Sequence, residues 1–135
     1  MNDPTEIKRL LECSRTIAVV GLSANPSRPS NAVARYMQTQ GYRIVPVNPN
    51  HEAVLGEFCY PSLLDIPAST SIDLVNVFRR SDAVPLVVAQ TMQIGVGAIW
   101  MQEGVVDGQA ARKAENAGLT VVMDRCLLKE HSQYI

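Results

Sequence analysis

The chain has 135 residues, 47% of them hydrophobic and 19% charged, with a formal net charge of −1. That length suits one domain able to bury most of its apolar surface, and the near-neutral balance offers no basic field for nucleic acid or anionic lipid. Apolar runs are only a few residues long, far below the roughly 20 of a membrane span. The opening Met1-Asn2-Asp3-Pro4 is unlike a signal peptide, so a cytoplasmic location is expected.

Taken in chain order, the first predicted element is a helix over Thr5–Cys13, with Ile7, Leu10 and Leu11 at helical spacing and Asp3 or Thr5 able to cap it. A strand follows at Thr16–Val20. The next helix is expected from about Asn31 to Gln40, with Val33, Ala34 and Met37 on one face, Ser30 as N-cap and Gly41 as its stop. A second strand, Arg43–Val47, ends at Asn48-Pro49-Asn50, and a looser stretch leads to a short turn at Ser62–Ile66. Leu74–Phe78 reads as the third strand. Ser81–Ile94 reads as a helix capped by Ser81, with Pro85 in its early turns and Val84, Val87, Val88 and Met92 facing inward. A fourth strand at Ala98–Met101, a helix over Asp107–Asn116 with Ala110, Ala111 and Ala114 on a slim face, a fifth strand at Thr120–Met123 and a short helix from Cys126 to Tyr134 complete the chain.

Strands that are continuously apolar, rather than alternating, are buried on both faces. Five of them separated by helices imply a Rossmann-like α/β fold: a doubly wound parallel sheet with right-handed crossovers and helices on both faces, three layers in one domain. In such sheets ligands bind beyond the carboxyl ends of the strands, where strand order reverses. The five strand ends read Gly21 to Arg28, Asn48 to His51, Phe78 to Ser81, Trp100 to Gly104 and Asp124 to Cys126. Together they gather Arg28, Arg79, Arg80 and Arg125 at one rim, an arrangement with no obvious structural return unless an anion is held there.

The first of these ends is a glycine turn followed by a polar loop, and backbone N–H groups after Gly21 and at the next helix start can cradle a phosphate. Ser23 and Ser30 add hydroxyls and Arg28 a planar fork; alternatively Ser23 and Asn25 only shape a turn and Arg28 is solvated. The spacing is not GxGxxG, and the second strand ends in Asn48 rather than the acidic residue that binds the adenosine ribose of NAD. Pro49 forms either a rigid wall for an adenine or a plain turn. Adjacent Arg79 and Arg80 diverge at a strand end, so one reaches a ligand while the other is solvated or paired with Asp82 or Asp65. Trp100 is core or ligand wall, and Gln102 and Glu103 are better placed for polar contacts.

No catalytic constellation is visible: GxSxG is absent, Ser23 has no evident base, and two separated histidines make no metal set. His51 reads as a loop residue and His131 as surface. The three cysteines form no CxxC pair; Cys13 and Cys59 read as buried small hydrophobes, and Cys126, beside Arg125 at the rim, either packs in the core or approaches a ligand thiol.

Longer stretches carry a family resemblance: Val19-Val-Gly-Leu-Ser23, Pro26-Ser-Arg-Pro-Ser30, Gly41 through Pro49, Leu55-Gly56, Asp65-Ile-Pro67, Asp73 to Arg80, Trp100 to Val105 and Ala117 to Cys126. Over nearly its whole length the chain resembles the small single-domain CoA-binding proteins, related to the CoA-binding domain of the succinyl-CoA synthetase α subunit. The resemblance implies coenzyme A or an acyl-CoA as ligand. Gly21, Ser23, Ala24, Asn25, Arg28 and Ser30 would hold its phosphates, and Asn48, Pro49 and Asn50 would flank the adenosine. Phe78, Arg79, Trp100 and Gln102 would line the rest, and the negative charges of CoA suit Arg80 and Arg125 as well. The phosphohistidine and partner domains of the synthetases have no counterpart here, so the resemblance implies a binding module without catalysis of its own. An NAD(P)-dependent oxidoreductase domain is the alternative.

Overall fold

Asp3 opens the first helix: its carboxylate accepts the Thr5 N–H at 2.8 Å and Pro4 occupies the first turn, where its missing donor is not needed. The computed structural model describes residues 1–135. Helix α1 (Pro4–Cys13) buries Ile7 and Leu11 and leads into β1 (Thr16–Val20). Helix α2 is Pro29–Thr39, followed by β2 (Arg43–Val47), a two-residue hairpin of β3 (Ala53–Val54) and β4 (Glu57–Phe58), and a single 3-10 turn at Leu63–Asp65. Strand β5 (Leu74–Val77), a 3-10 turn at Ser81–Ala83 and helix α3 (Val84–Gln93) come next. Strand β6 (Ala98–Met101), helix α4 (Gly108–Asn116), β7 (Thr120–Met123) and helix α5 (Leu127–Tyr134) finish the chain. No helix is long and apolar enough to cross a membrane.

Five strands form one parallel sheet in the order β2-β1-β5-β6-β7. Counting only those strands the order is 2-1-3-4-5, so the chain reverses direction across the sheet between β1 and β5. Alternation along each strand feeds two cores. Val20, Val75, Val77, Ile99 and Met101 pack with Val84, Val87 and Ala111 of α3 and α4. Ile17, Val19, Leu74 and Trp100 pack on the opposite face with Ile7, Leu11, Met37 and Leu127 of α1, α2 and α5. The Rossmann-like, three-layer α/β architecture read from the sequence is therefore the one observed.

Several local expectations are corrected. Ser30 is not an N-cap: α2 starts at Pro29, its cap position is Arg28 with no side-chain hydrogen bond, and the Ser30 hydroxyl is turned back to accept the Ser23 N–H at 3.0 Å. Ser81 likewise caps nothing on α3, because a 3-10 turn intervenes and its hydroxyl accepts the Val106 N–H at 3.0 Å. Met92 lies at the surface and Thr91 takes its inward place, satisfied by donating to the Val87 carbonyl at 2.7 Å. Cys13 is exposed, while Cys59 is buried as expected. His131 is buried, not on the surface: Tyr36 Oη lies 2.9 Å from its Nδ1, and the rings of Tyr36 and Tyr42 stand edge-on to it.

Candidate functional site

The reversal point is built around Gly21. Its N–H donates to Val47 O of β2 at 2.8 Å, and on the other side the Phe78 N–H donates to Val20 O at 2.8 Å, so the ends of β1, β2 and β5 are tied together. Gly21 has φ +88°, and a Cβ there would run into the Phe78 carbonyl and reach within 3.1 Å of Arg79 Cδ. Only glycine satisfies both the turn and the approach. Phe78 and Arg79 therefore sit directly against the turn, and a cavity opens on each side of them.

The smaller cavity, about 430 Å3, lies over β2 and β5 and is walled by Asn48, Pro49 and Asn50 on one side and Leu86 and Gln90 of α3 on the other. The larger, about 730 Å3, runs over α2 and α5 and is lined by Ser23, Arg28, Ser30, Gln102, Cys126 and Lys129, among others. Gly21, Phe78 and Arg79 belong to both, which makes one groove along the carboxyl edge of the sheet.

The loop between β1 and α2 holds its own shape. Ser23 Oγ accepts the Asn25 N–H at 3.1 Å, Asn25 Oδ1 accepts the Ser27 N–H at 3.0 Å and its hydroxyl at 2.8 Å, and Asn31 Nδ2 donates to Ser23 O at 2.9 Å. These side-chain turns use up the N–H groups of Asn25 and Ser27, and the Ser23 N–H is taken by the Ser30 hydroxyl, so three of the loop's backbone donors are closed to a phosphate. The N–H of Ser30, in the first turn of α2, donates to no protein group. Ala24 and Asn25 are exposed and line neither cavity; the Ala24 N–H points to His51 Nε2 at 3.5 Å, which keeps His51 in a loop-bracing position. Asn48 is a brace too, donating to Leu22 O at 3.0 Å while its Oδ1 accepts the Asn50 N–H at 2.9 Å.

The four arginines separate. Arg28 and Arg79 line the groove with no protein partner. Arg80 also borders the larger cavity, but it is paired with Asp82 at 2.8 Å, and that bond holds the Asp82 carboxyl below its ordinary range. Arg125 is drawn away: it donates to Asp124 O at 2.9 Å, its Nε sits 3.5 Å from Glu130, and it lines neither cavity. The left-handed Asp124 (φ 60°) turns the chain there, with its carboxylate accepting the Gly104 N–H at 2.8 Å.

Trp100 is not a wall of the groove. It is completely buried beneath the sheet, and its indole N–H donates to Arg125 O at 2.8 Å. Its strand position places the side chain on the α2–α5 face, inside the core, because neighbouring Met101 takes the other face. Gln102, by contrast, is only 6% exposed and lines the larger cavity. Its Oε1 accepts from Asn76 Nδ2 at 3.4 Å and from the Leu127 N–H at 3.3 Å, satisfying a donor at the start of α5. The Gln102 amide nitrogen has no protein partner. Asn76 is fully buried, and its Oδ1 is the one buried side-chain atom left without a hydrogen bond.

The sequence reading missed Leu86, Gln90 and Lys129 among the wall residues. Leu86 is 64% exposed, and a large apolar group on the solvent side of α3 was the available signal. Lys129 lies one turn after Cys126 on α5 and reaches Glu103 at 3.1 Å across the mouth of the larger cavity; no local pattern marks it.

With this geometry in place, the comparisons with known proteins are coherent. Uncharacterized protein YneT of Bacillus subtilis is 41% identical over 134 residues, covering 98% of either chain. A solved hypothetical protein from Pyrococcus horikoshii superposes with a TM-score of 0.92 at 37% identity, over 98% of this chain and 92% of that one. ADP-forming acetate–CoA ligase II of Archaeoglobus fulgidus is 33% identical over 93 residues, 67% of this chain but only 14% of the ligase. The model of the CoA binding domain matches residues 15–132, a span that includes every wall of the groove, and the chain belongs to that CoA-binding domain family.

Proposed function

We propose that the groove binds coenzyme A or an acyl-CoA and holds it without turning it over. The observation that carries this reading is the pair of cavities meeting at Gly21, Phe78 and Arg79, with Arg28 and Arg79 unpaired beside them. The adenosine would rest in the smaller cavity between Pro49 and Leu86, both exposed. The phosphates would lie over the Gly21 turn, met by the guanidinium groups of Arg28 and Arg79 and the free N–H of Ser30. The pantetheine arm, uncharged and amide-bearing, would follow the larger cavity toward Gln102, whose unpartnered amide nitrogen suits a carbonyl. Asn48, where NAD sites carry an acid, leaves no carboxylate to repel a phosphorylated ribose. The walls supply binding groups but no nucleophile held by a base within hydrogen-bond reach, which supports binding without turnover.

Isothermal calorimetry of the whole chain with CoA, acetyl-CoA, NAD and NADP tests this. CoA or acetyl-CoA is expected to bind more tightly than either dinucleotide, and Arg28→Ala to weaken CoA binding without lowering stability. Tighter binding of NAD or NADP overturns the reading in favour of an oxidoreductase-type site.

A further inference from the structure

Strand β5 carries one polar residue among apolar ones. Asn76 stands between Val75 and Val77, opposite Trp100 of β6, and none of it reaches solvent. Alternation puts its side chain on the same face as Leu74, toward α2 and α5. Its Nδ2 donates to Trp100 O at 3.3 Å and to Gln102 Oε1 at 3.4 Å, while its Oδ1 is sealed in with no donor. A buried acceptor without a partner costs free energy that an apolar residue of similar volume would not. The reason for an asparagine here therefore lies outside the packing of the strand.

Two backbone groups of fixed polarity settle how both amides lie. The Leu127 N–H, at the start of α5, can only donate, and it bonds Gln102 Oε1 at 3.3 Å, so the oxygen end of Gln102 is held inward. Trp100 O can only accept. Asn76 must then offer its amide nitrogen to both acceptors, because turned over it would set oxygen against oxygen at each of them. Its own oxygen is left over on the far side, and the orphan is the consequence of aiming a donor at Gln102. The effect is felt in the larger cavity, which Gln102 lines. Gln102 Nε2 has no protein acceptor and is not sealed from solvent, so with Oε1 held from inside it faces that cavity with its N–H groups free.

Resting on the reading of the groove as a CoA site, we propose that Asn76 is a positioning residue for that ligand. It lines neither cavity, yet it locks the Gln102 amide with its donors outward. Leu127 alone would hold the amide by a single bond about which it could pivot; the second bond, from Asn76, fixes its plane. The groove then discriminates by hydrogen-bond polarity at this point. An acceptor such as an amide carbonyl of the pantetheine arm is matched, and a donor in its place is left unpaired. A donor fixed before the ligand arrives also spares the entropy of ordering it on binding.

The test is calorimetry of the full chain with CoA and, separately, with adenosine 3′,5′-bisphosphate, which carries the nucleotide end and lacks pantetheine. Asn76→Leu and Asn76→Ala are each expected to weaken CoA binding about threefold to tenfold, the scale of one hydrogen bond, and to bind the bisphosphate as the wild type does. Gln102→Leu should show the same split. Adding Asn76→Leu to Gln102→Leu should weaken CoA no further, because the first residue acts only through the second. Equal losses for the two ligands, or failure of both Asn76 variants to fold, would mean that Asn76 serves the fold alone and overturns the proposal. Additive losses in the double variant overturn it as well. If the wild type binds CoA and the Asn76 variants bind it equally well, only this proposal falls; if the wild type binds no CoA, the groove reading falls and this proposal with it.

Discussion

The backbone of Gly21 lies against the Phe78 carbonyl so closely that no side chain can stand between them. That contact joins the turn after β1 to the end of β5 and places Phe78 and Arg79 in both halves of the groove. Gly21→Ala must relieve a Cβ clash with backbone, and it also forces alanine into a left-handed φ. Urea unfolding should show a loss of about 1–3 kcal/mol, and CoA affinity measured in the folded fraction should fall as Phe78 and Arg79 move off the turn. Unchanged stability and affinity would show that the turn has room to spare.

The two neighbouring arginines should behave differently. Arg79 has no protein partner and faces both cavities, whereas Arg80 is already held by Asp82. Calorimetry should show Arg79→Ala weakening CoA binding by about tenfold to a hundredfold, the scale of a lost charge-assisted hydrogen bond. Arg80→Ala should leave affinity nearly unchanged. The reverse order would place the ligand outside the groove, over the α3 side of the rim.

Trp100 separates core from site. Because it is fully buried on the α2–α5 face, Trp100→Ala should destabilise the protein by about 3–5 kcal/mol in denaturant titration, the range for removing a large aromatic from a core. Trp100→Phe, which keeps most of the packing, should alter CoA affinity by less than about threefold. A large affinity loss in the phenylalanine variant, with stability retained, would return Trp100 to the ligand wall.

His131 supplies a pH dependence. Burial between Tyr36 and Tyr42 lowers its tendency to hold a proton below that of a free imidazole. The unfolded chain, with histidine near about 6.5, then binds the proton more readily than the folded one. Stability from this residue is complete above that value and is lost as pH falls through it toward the depressed folded value. Urea midpoints should decline between about pH 7.5 and pH 5.5, and His131→Asn should flatten that decline. A midpoint independent of pH in the wild type would mean that the buried ring carries its proton at no disadvantage.

Most of the fold was legible because it rests on local signals. Continuous apolar runs such as Ile17 to Val20 and Ala98 to Met101, bounded by turn residues, read as strands covered on both faces, and Asp3, Pro4 and Gly41 punctuate helices by their own backbone preferences. The hairpin of β3 and β4 was missed because two paired residues per strand leave no periodicity to read.

The position of the candidate groove was likewise a consequence of sequence: five parallel strands put their loops at one edge, where the residues after Val20, Val47, Val77 and Met101 gather. Which of those residues face the groove was not. Arg28 and Arg79 remain free while Arg80 and Arg125 are taken by Asp82 and Glu130, and Trp100 turns inward where Gln102 turns to the cavity. Each of those outcomes depends on partners brought close only by folding or on the face a strand residue presents at its last position. Composition and spacing thus determine a layered α/β domain with arginines gathered at one rim of its sheet. The competition among neighbours for hydrogen bonds and burial, resolved only in three dimensions, decides which side chains remain available to a ligand.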